Sequence, residues 1–577
     1  MATVSVSSGT LNVNLWRGER MCLIGMNIDP QPAADFVGFA IAVQSPGAND
    51  FTFLRNRLAF AYPAQADVTG FRQFPTSEAP LQTFRWIHFP QDPKPGTYRY
   101  QVTAMYMDAV GTLHEGDKVA GEISLFDETV PGVVDIGFTR NFASSQAFVE
   151  KFPDGAARAR ILPINGAAGY DFDKSAAPAG AYAWLSGKAN DLMQQMLAAA
   201  TDPATRLDVM AYDLNEPDLI AALEAVAQRG SSASPTLRIL IDNSADHKDD
   251  TSSESRAAAR LAAAGAVVVR HHFVHLQHHK VLILYRNGNA EQAIGGSTNF
   301  SFRGLYIQAN NMLLFTAPEV VDWFVQAFEL ALQGPSAWKA GTFPDTWHAA
   351  GNLPTGTNVR GCYSPHSEGF DMSLSPVAAA IDQATSSVFF AVAFLNQDSK
   401  GPVRQALDRL EGKPLFSYGI ANRKTGLKLT KPDGSTGLVD FEYLADRAPE
   451  PFKSEWSGGQ GITIHHKFVV TDFNLPTAKV FAGSSNLSVS GEEGNGDHLF
   501  QIGDARVATA YAIEALRMFD HLNFRTKMQA AAGAEKSIIL RRPPVDGGQP
   551  WFAQFYAEGT QKQRDRMLFG GPIFRQS

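Results

Sequence analysis

Two short segments carry the side chains of this sequence best suited to chemistry. The first reads His278-His279-Lys280 and reaches Gly296-Ser297-Thr298-Asn299 after an apolar run; the second reads His465-His466-Lys467 and reaches Gly483-Ser484-Ser485-Asn486. His278, Lys280, Ser297 and Asn299 lie 187 residues before His465, Lys467, Ser484 and Asn486, so four polar positions repeat without a gap. A lone His-x-Lys says little, but two copies joined to two Gly-Ser-x-Asn turns at one spacing mark an internal duplication. In a strand, residues two apart share a face, so His278 projects with Lys280 and His465 with Lys467, while His279 and His466 point the other way. A cation facing a low-dielectric interior needs an anion to offset it, and phosphate is the obvious one. The serine hydroxyls and asparagine amides are uncharged donors suited to phosphate oxygens. Two facing halves would supply two histidines, two lysines and two asparagines to one phosphodiester. The lysines take over the charge stabilisation that divalent ions otherwise perform. One imidazole attacks phosphorus to give a phosphohistidine; the other protonates the departing alkoxide, then activates the water or alcohol that resolves the intermediate. This chemistry calls for no cofactor and no metal.

The elements that must position these residues follow from the pattern around them. Beyond residue 130, helices alternate with apolar strands, which implies α/β architecture with parallel strands, and the alternation occurs twice. In the first pass a helix around Leu192 precedes a strand over 207–212, a helix over 219–228 and a strand over 237–241. In the second, a helix around Pro376 precedes a strand over 387–394, a helix over 403–410 and a strand over 414–418. From residue 1 to about 127 the texture is instead short alternating strands broken by turns. In Pro95-Gly96-Thr97-Tyr98, a turn opens a strand whose Tyr98, Tyr100, Val102, Ala104 and Tyr106 share one face. That strand resembles the closing strand of immunoglobulin-like or fibronectin-like modules and favours a β-sandwich. The fold expected is therefore α/β: two pseudo-symmetric lobes of mixed sheet flanked by helices, over 128–358 and 359–577, preceded by an all-β sandwich over 1–127.

Both halves resemble the phospholipase D superfamily. Its signature, His-x-Lys-x4-Asp followed by Gly-Ser-x-Asn, is met in full by His465, Lys467, Asp472, Gly483, Ser484 and Asn486. The first half matches at His278, Lys280, Gly296, Ser297 and Asn299 but has Tyr285 where the second has Asp472. The likeness covers roughly residues 130 to 525. It implies a bilobal fold with pseudo-two-fold symmetry and a ping-pong phosphohistidine mechanism. In the family that Asp is mainly a structural hydrogen-bond acceptor beside the site, so its replacement by Tyr285 is expected to be tolerated. Asn310 and Asp497, again one repeat apart, stand where the family presents an acceptor to the catalytic imidazole. An anionic acceptor raises the imidazolium pKa, whereas an amide only fixes the tautomer. By family order His278 is the nucleophile and His465 the acid, and an Asp497-backed His465 would fit the acid role.

The remaining features bound the function. The chain has 577 residues and a mass of 62.6 kDa, too long for one core at about 150 residues per domain. With 44% hydrophobic and 19% charged residues it is no disordered chain, coiled coil or collagen-like fibre. Fifty Lys and Arg against 58 Asp and Glu give a net charge of −8, without the positive excess of a general nucleic-acid binder. Cys22 and Cys362 read as buried thiols, with a single bridge left open. The start lacks a basic segment followed by an apolar one, and no apolar run approaches the roughly 18 residues of a bilayer span. A chain without a transmembrane segment is expected, cytoplasmic or exported by a route without an N-terminal signal peptide. His271, His272 and His275 could belong to a zinc site, but no nearby cysteine pair completes one, and they read rather as capping a strand or lining the pocket mouth. A Gly/Pro-rich stretch over about 421–460 carries Arg423, Lys424, Lys428, Lys431, Phe452, Lys453 and Trp456 and has no match in the first half. Phe452 and Trp456 are candidates for seating a lipid headgroup or stacked bases; a solvated insertion is the plain alternative. The C-terminal run, with Trp551, Phe552, Phe555 and Tyr556, reads as a return segment packing on the core.

The function expected first is a phosphoric diester hydrolase of the phospholipase D type. It would hydrolyse glycerophospholipids such as phosphatidylcholine at a membrane surface, with transfer to alcohols open to the same intermediate. The alternatives are a metal-independent nuclease of the same superfamily, acting on DNA or RNA, and a non-catalytic binding protein on a degenerate scaffold. The oligomeric state is not fixed by the sequence, and a monomer is compatible with it.

Overall fold

Short alternating strands build two antiparallel four-stranded sheets in the N-terminal part. The computed structural model describes residues 3–62, 73–140, 146–158, 160–161, 163, 169–231, 233–351, 353–395, 400–422, 437–440, 464–533, 538–545 and 547–573. One sheet runs β1 (Thr3–Ser8), β2 (Leu11–Arg17), β3 (Cys22–Ile28), then β8 (Arg85–His88). The other runs β10 (Leu113–Ser124), β9 (Thr97–Met107), β4 (Phe36–Gln44), β5 (Thr52–Phe53); β6 (Arg55–Asn56) and β7 (Phe74–Pro75) pair separately. Tyr98, Tyr100, Val102 and Ala104 of β9 face Val13, Leu15, Ile24 and Met26 in one core, because the two-residue period puts alternate side chains on the inner face. Cys22 lies in that core, and it and Cys362 are buried and unbridged.

Each lobe is one mixed sheet. The first runs β11 (Val134–Phe138), β17 (Asn311–Phe315), β16 (Asn289–Gly296), β15 (Val281–Arg286), β12 (Thr205–Ala211), β13 (Leu237–Ile241), β14 (Val267–Arg270). The second runs β18 (His348–Ala349), β19 (Asn358–Ser364), β25 (Asp497–Gly503), β24 (Lys479–Gly483), β23 (Lys467–Thr471), β20 (Ser387–Val392), β21 (Phe416–Ala421), β22 (Leu438–Asp440). Apart from β18, the orders coincide. Even the register repeats: Leu282 pairs with Ile294 as Val469 pairs with Phe481. The parallel arrangement read from the alternation holds for β12–β13–β14 and β20–β21–β22. The motif-bearing strands instead join antiparallel, since a short connection reverses the chain whereas a crossover helix keeps its direction.

Both faces of each sheet are covered. In the first lobe, α1 (Ala181–Ala199), α2 (Pro217–Ala227) and α3 (Ser253–Ala263) pack on the outer face against Leu207, Val209, Leu282 and Leu284. The inner face, with Val281 and Ile283, meets Phe468 and Val470 of the second lobe in a shared core. That core also takes in α4 (Pro318–Gln333) and α7 (Ala505–Gly533), while α5 (Asp371–Gln383) and α6 (Pro402–Arg409) cover the outer face of the second sheet. α2 starts cleanly, with Pro217 at its first position and Glu216 accepting from the Leu219 N–H at 2.7 Å. Among the described residues no helix is long and apolar enough to cross a membrane.

The C-terminal segment returns to the β-sandwich. Trp551, Phe552 and Phe555 complete its core, and α8 (Gln561–Gly570) lies against β3. The "core" on which the return segment packs is therefore that of the N-terminal module.

Candidate active site

The two motifs meet at the seam between the lobes. Gln277 bridges to Gly496, and the N–H of His278 donates to the Gly496 carbonyl at 2.9 Å; in mirror fashion Ala309 bridges to Ile464, and the His465 N–H donates to the Ala309 carbonyl at 3.0 Å. His278 and Lys280 thus sit in extended backbone just before β15, and His465 just before β23, rather than within the strands. The same-side projection survives: the Lys280 ammonium donates to the His278 carbonyl, and the Lys467 ammonium donates to the His465 carbonyl at 2.9 Å and lies 3.0 Å from His465 Nε2. His279 and His466 do turn away, His279 stacking on His498 and His466 reaching Glu514 at 3.3 Å.

The acceptors cross between lobes. Asp497 Oδ1 takes His278 Nδ1 at 2.7 Å, and Asn310 Oδ1 takes His465 Nδ1 at 2.8 Å. This overturns the expectation of an Asp497-backed His465: each acceptor strand faces the seam, and the imidazole within reach belongs to the other lobe. The serines hold these acceptors rather than waiting for phosphate. Ser297 Oγ donates to Asn310 Oδ1 at 2.9 Å, and Ser484 Oγ to Asp497 Oδ1 at 2.6 Å. Asn310 Nδ2 donates to the Gly304 carbonyl, which fixes the amide with its oxygen toward His465. The motif glycines permit this approach. A Cβ on Gly296, at φ 128°, would lie 2.6 Å from the Asn311 carbonyl, and one on Gly483 would lie 2.2 Å from that of His498. Asn299 donates to Asp213 Oδ2 at 2.6 Å, and the buried amide oxygens of Asn299 and Asn486 have no partner among the described residues.

Charge is crowded here. Burial, then Lys280 and Lys467, holds His278 well below the usual imidazole range, and burial with the same lysines does so for His465. Burial pulls Lys280 down to about 7 against the attraction of Asp497, Asp213 and Asp242, and burial with repulsion from Lys280 holds Lys467 well below the usual ammonium range. Asp497 is pushed up to about 6 by burial, opposed by Lys280 and the Ser484 hydrogen bond. The site is a cluster of under-compensated cations, which an anion would relieve.

One flank was not foreseen. The Tyr212 ring packs edge-on to His278 with centroids 5.0 Å apart, and the Lys280 ammonium lies 5.0 Å from its centre. Phe394 stands against His465 and Lys467 in the same way, at 6.0 and 5.5 Å. Next to Tyr212, Asp213 binds His247 Nε2 at 3.3 Å, while Asp242 binds its Nδ1 at 2.8 Å. Burial lowers the His247 pKa, but these two hydrogen bonds outweigh it and hold the imidazole up at about 10. Asp213, His247 and Glu254 offer ligand atoms within 4.8 Å of one another; a protonated His247 already neutralises part of that charge. The signal lay in the chain: Tyr212 and Asp213 directly follow the C-terminal end of a parallel strand, where α/β sheets place their sites.

Asp472 is remote from the imidazoles. Its carboxylate accepts from the backbone N–H groups of Thr385, Ser386 and Ser387 and so ties the turn before β20. At the equivalent position the Tyr285 ring lies 3.4 Å beneath the Arg206 guanidinium. His271 and His272 bind the backbone carbonyls of Ala331 and Phe273, and the His275 N–H donates to Gly494 across the seam. The metal-competent cluster among the described residues contains none of the three. Arg423, Lys424, Lys428, Lys431, Phe452, Lys453 and Trp456 lie outside the described residues.

Two lobes that share one strand order and exchange acceptors define a duplicated α/β scaffold with one shared site at the seam. Residues 193–331 match the family described as cardiolipin synthase, PLD-like domain, and the second lobe repeats the matched motifs at constant spacing. The matched stretch carries the motif residues of the first lobe, His278, Lys280, Ser297 and Asn299. Among solved structures it is similar to phosphatidylserine synthase from Haemophilus influenzae Rd KW20, at 12% identity over 67% of this chain and 93% of that one, with a TM-score of 0.40. It is similar to the yeast tyrosyl-DNA phosphodiesterase at 11% identity over 54% and 87%, with a TM-score of 0.31. It is also similar to polyphosphate kinase from Porphyromonas gingivalis at 13% identity over 54% of this chain, spanning less than half, 42%, of that one, with a TM-score of 0.34. No curated protein matches the sequence.

Proposed function

We propose that this chain hydrolyses the phosphodiester of glycerophospholipids such as phosphatidylcholine through a phosphohistidine on His278, with His465 as acid and then base. The observation that carries this reading is the crossed pairing of acceptors. Asp497 accepts the Nδ1 proton of His278 at 2.7 Å, leaving the Nε2 lone pair for phosphorus, and its charge stabilises the phosphoimidazolium that forms. His465 rests on the neutral Asn310 amide, so nothing anionic holds a proton on it once the alkoxide needs one. In the first step the His278 Nε2–P bond forms, the P–O bond to the alcohol breaks, and the leaving oxygen takes the His465 Nε2 proton. In the second, His465 takes a proton from water, the water oxygen bonds to phosphorus, and the N–P electron pair returns to His278. Lys280 and Lys467 bind the non-bridging oxygens throughout. A lipid substrate is supported by the net charge of −8 and by the cardiolipin-synthase description of the matched family.

The test uses the purified chain and its His278→Ala and His465→Asn variants, in EDTA, against phosphatidylcholine vesicles and against single- and double-stranded DNA. Choline release by the wild type, lost in both variants, is expected, together with phosphohistidine trapped on His278 in His465→Asn. Phosphate found on residue 465 would reverse the roles. DNA cleavage without choline release would make the chain a nuclease, and inactivity on every substrate would leave a binding protein.

A further inference from the structure

A cavity of about 380 Å³ lies where the β-sandwich, the first lobe and α7 meet, away from the phosphodiester site. Five cationic side chains line it: Arg20, Arg140, Lys151, Lys188 and Arg517. Four are ion-paired within the same wall: Arg20 with Asp191 at 2.5 Å, Lys151 with Asp92 at 2.5 Å, Lys188 with Glu19, and Arg517 with Glu514 at 2.6 Å. Arg140 has no carboxylate at ion-pair distance among the described residues. Its guanidinium donates to the carbonyls of Gln91 at 3.0 Å and Pro90 at 2.5 Å, neutral acceptors that satisfy donors without cancelling charge. It is 6% exposed and lies against the rings of Phe89 and Trp184, 3.9 and 4.4 Å from their centres.

A buried guanidinium without an ion-pair partner is a costly arrangement unless an anion completes it. Burial, with repulsion from Arg517 and Arg20 outweighing the attraction of Asp92, pulls Arg140 down to about 9, whereas Arg85, held by Asp520 and Asp565, is raised despite burial. Among the described residues, Gln91 and Pro90 take two of the five in-plane guanidinium N–H donors, which leaves N–H groups along its edge for an incoming group. A planar carboxylate fits such an edge, and the cavity falls in the range of small-molecule sites, roughly 300–1,000 Å³. We propose that this cavity binds a small organic carboxylate on Arg140, independently of the phosphodiester chemistry. The bound anion would stand close to the supports of the second imidazole. Thr139, in the cavity wall, holds the Asn310 backbone through hydrogen bonds of 2.9 and 3.0 Å, and Glu514 holds His466.

Isothermal titration of benzoate into the full chain tests the proposal, with Arg140→Met, Ala183→Trp and Lys467→Met as comparisons. Ala183 is an exposed residue lining the cavity, and a Trp there fills the space without removing the guanidinium. One-to-one binding is expected, weakened about tenfold or more in Arg140→Met and Ala183→Trp and unchanged in Lys467→Met. No binding to the wild type, or a loss in Lys467→Met alone, overturns it. Should Arg140→Met fail to fold, unchanged affinity in Ala183→Trp overturns it equally.

Discussion

Asp497 and Asn310 occupy equivalent positions and differ by one charge, and each acts on the imidazole of the opposite lobe. Removing that charge from behind His278 while keeping an oxygen acceptor isolates its electrostatic part. Asp497→Asn is expected to lower kcat for a phosphodiester about a hundredfold with KM little changed; an unchanged kcat would show that the charge does not stabilise the phosphorylated imidazole. The crowded cations give a second prediction. His278, His465 and Lys467 are held below their ordinary values, and Lys280 at about 7. A bound anion favours their protonated forms and raises those values, so binding at pH 7 draws protons from solution. Dimethyl phosphate, a diester anion with no proton of its own near neutrality, is the probe. Its binding heats in buffers of different ionisation enthalpy should report net proton uptake, and release would contradict the sign. The histidines, lysines and asparagines of this site were legible because a repeat of four polar positions at one spacing is a pattern along the chain. The exchange of Asp497 and Asn310 between lobes was not, since nothing in the chain says which imidazole an acceptor reaches. Ser297 and Ser484 were misjudged for the same reason: their donor chemistry was plain, their partners were not.

At the scale of elements, the strands were readable because they are almost wholly apolar, but burial on both faces hid their direction. Val281 and Ile283 face the seam while Leu282 and Leu284 face the outer helices, so no polar alternation marks an inside and an outside. Parallel pairing could be inferred only where helices intervene, and it holds for those strands alone. Asp472 shows what the Asp of the signature does in the second lobe. It accepts from three successive backbone N–H groups at 3.0, 2.7 and 3.2 Å, with its own backbone at φ 51°. Asp472→Ala strands those donors and should destabilise the chain by about 3 kcal/mol, read as a lower urea midpoint, with kcat within a few-fold of wild type. A collapse of kcat at unchanged stability would instead put Asp472 in the chemistry. The first lobe dispenses with this tie by stacking Tyr285 under Arg206.

On the scale of the whole molecule, the β-sandwich is finished by residues more than 400 positions away. Trp551, Phe552 and Phe555 stand in the same core as Phe36, Phe84 and Tyr100. The Phe84 ring lies 5.6 Å from Trp551 and 5.0 Å from Phe555. Polar ties reinforce the union: Trp16 and Asn14 donate to the Phe569 carbonyl, both at 2.9 Å, and Arg85 joins Asp520 of α7 and Asp565 of α8. The alternating strands of the first 127 residues were legible, but nothing local in them showed an unfinished core, because an aromatic partner distant in sequence leaves no periodic trace. Losing one buried aromatic side chain is worth about 3–5 kcal/mol, and three together match the whole stability of an ordinary domain, about 5–15 kcal/mol. Phe555→Ala should therefore lower the unfolding midpoint clearly, and a chain ending at residue 545 should lose the folded sandwich. Limited proteolysis followed by mass spectrometry checks this: cleavage within 1–127 is expected in the shortened chain and not in the full one. A sandwich that stays protected without residues 546–577 would mean that the C-terminal segment only rests on a module already complete.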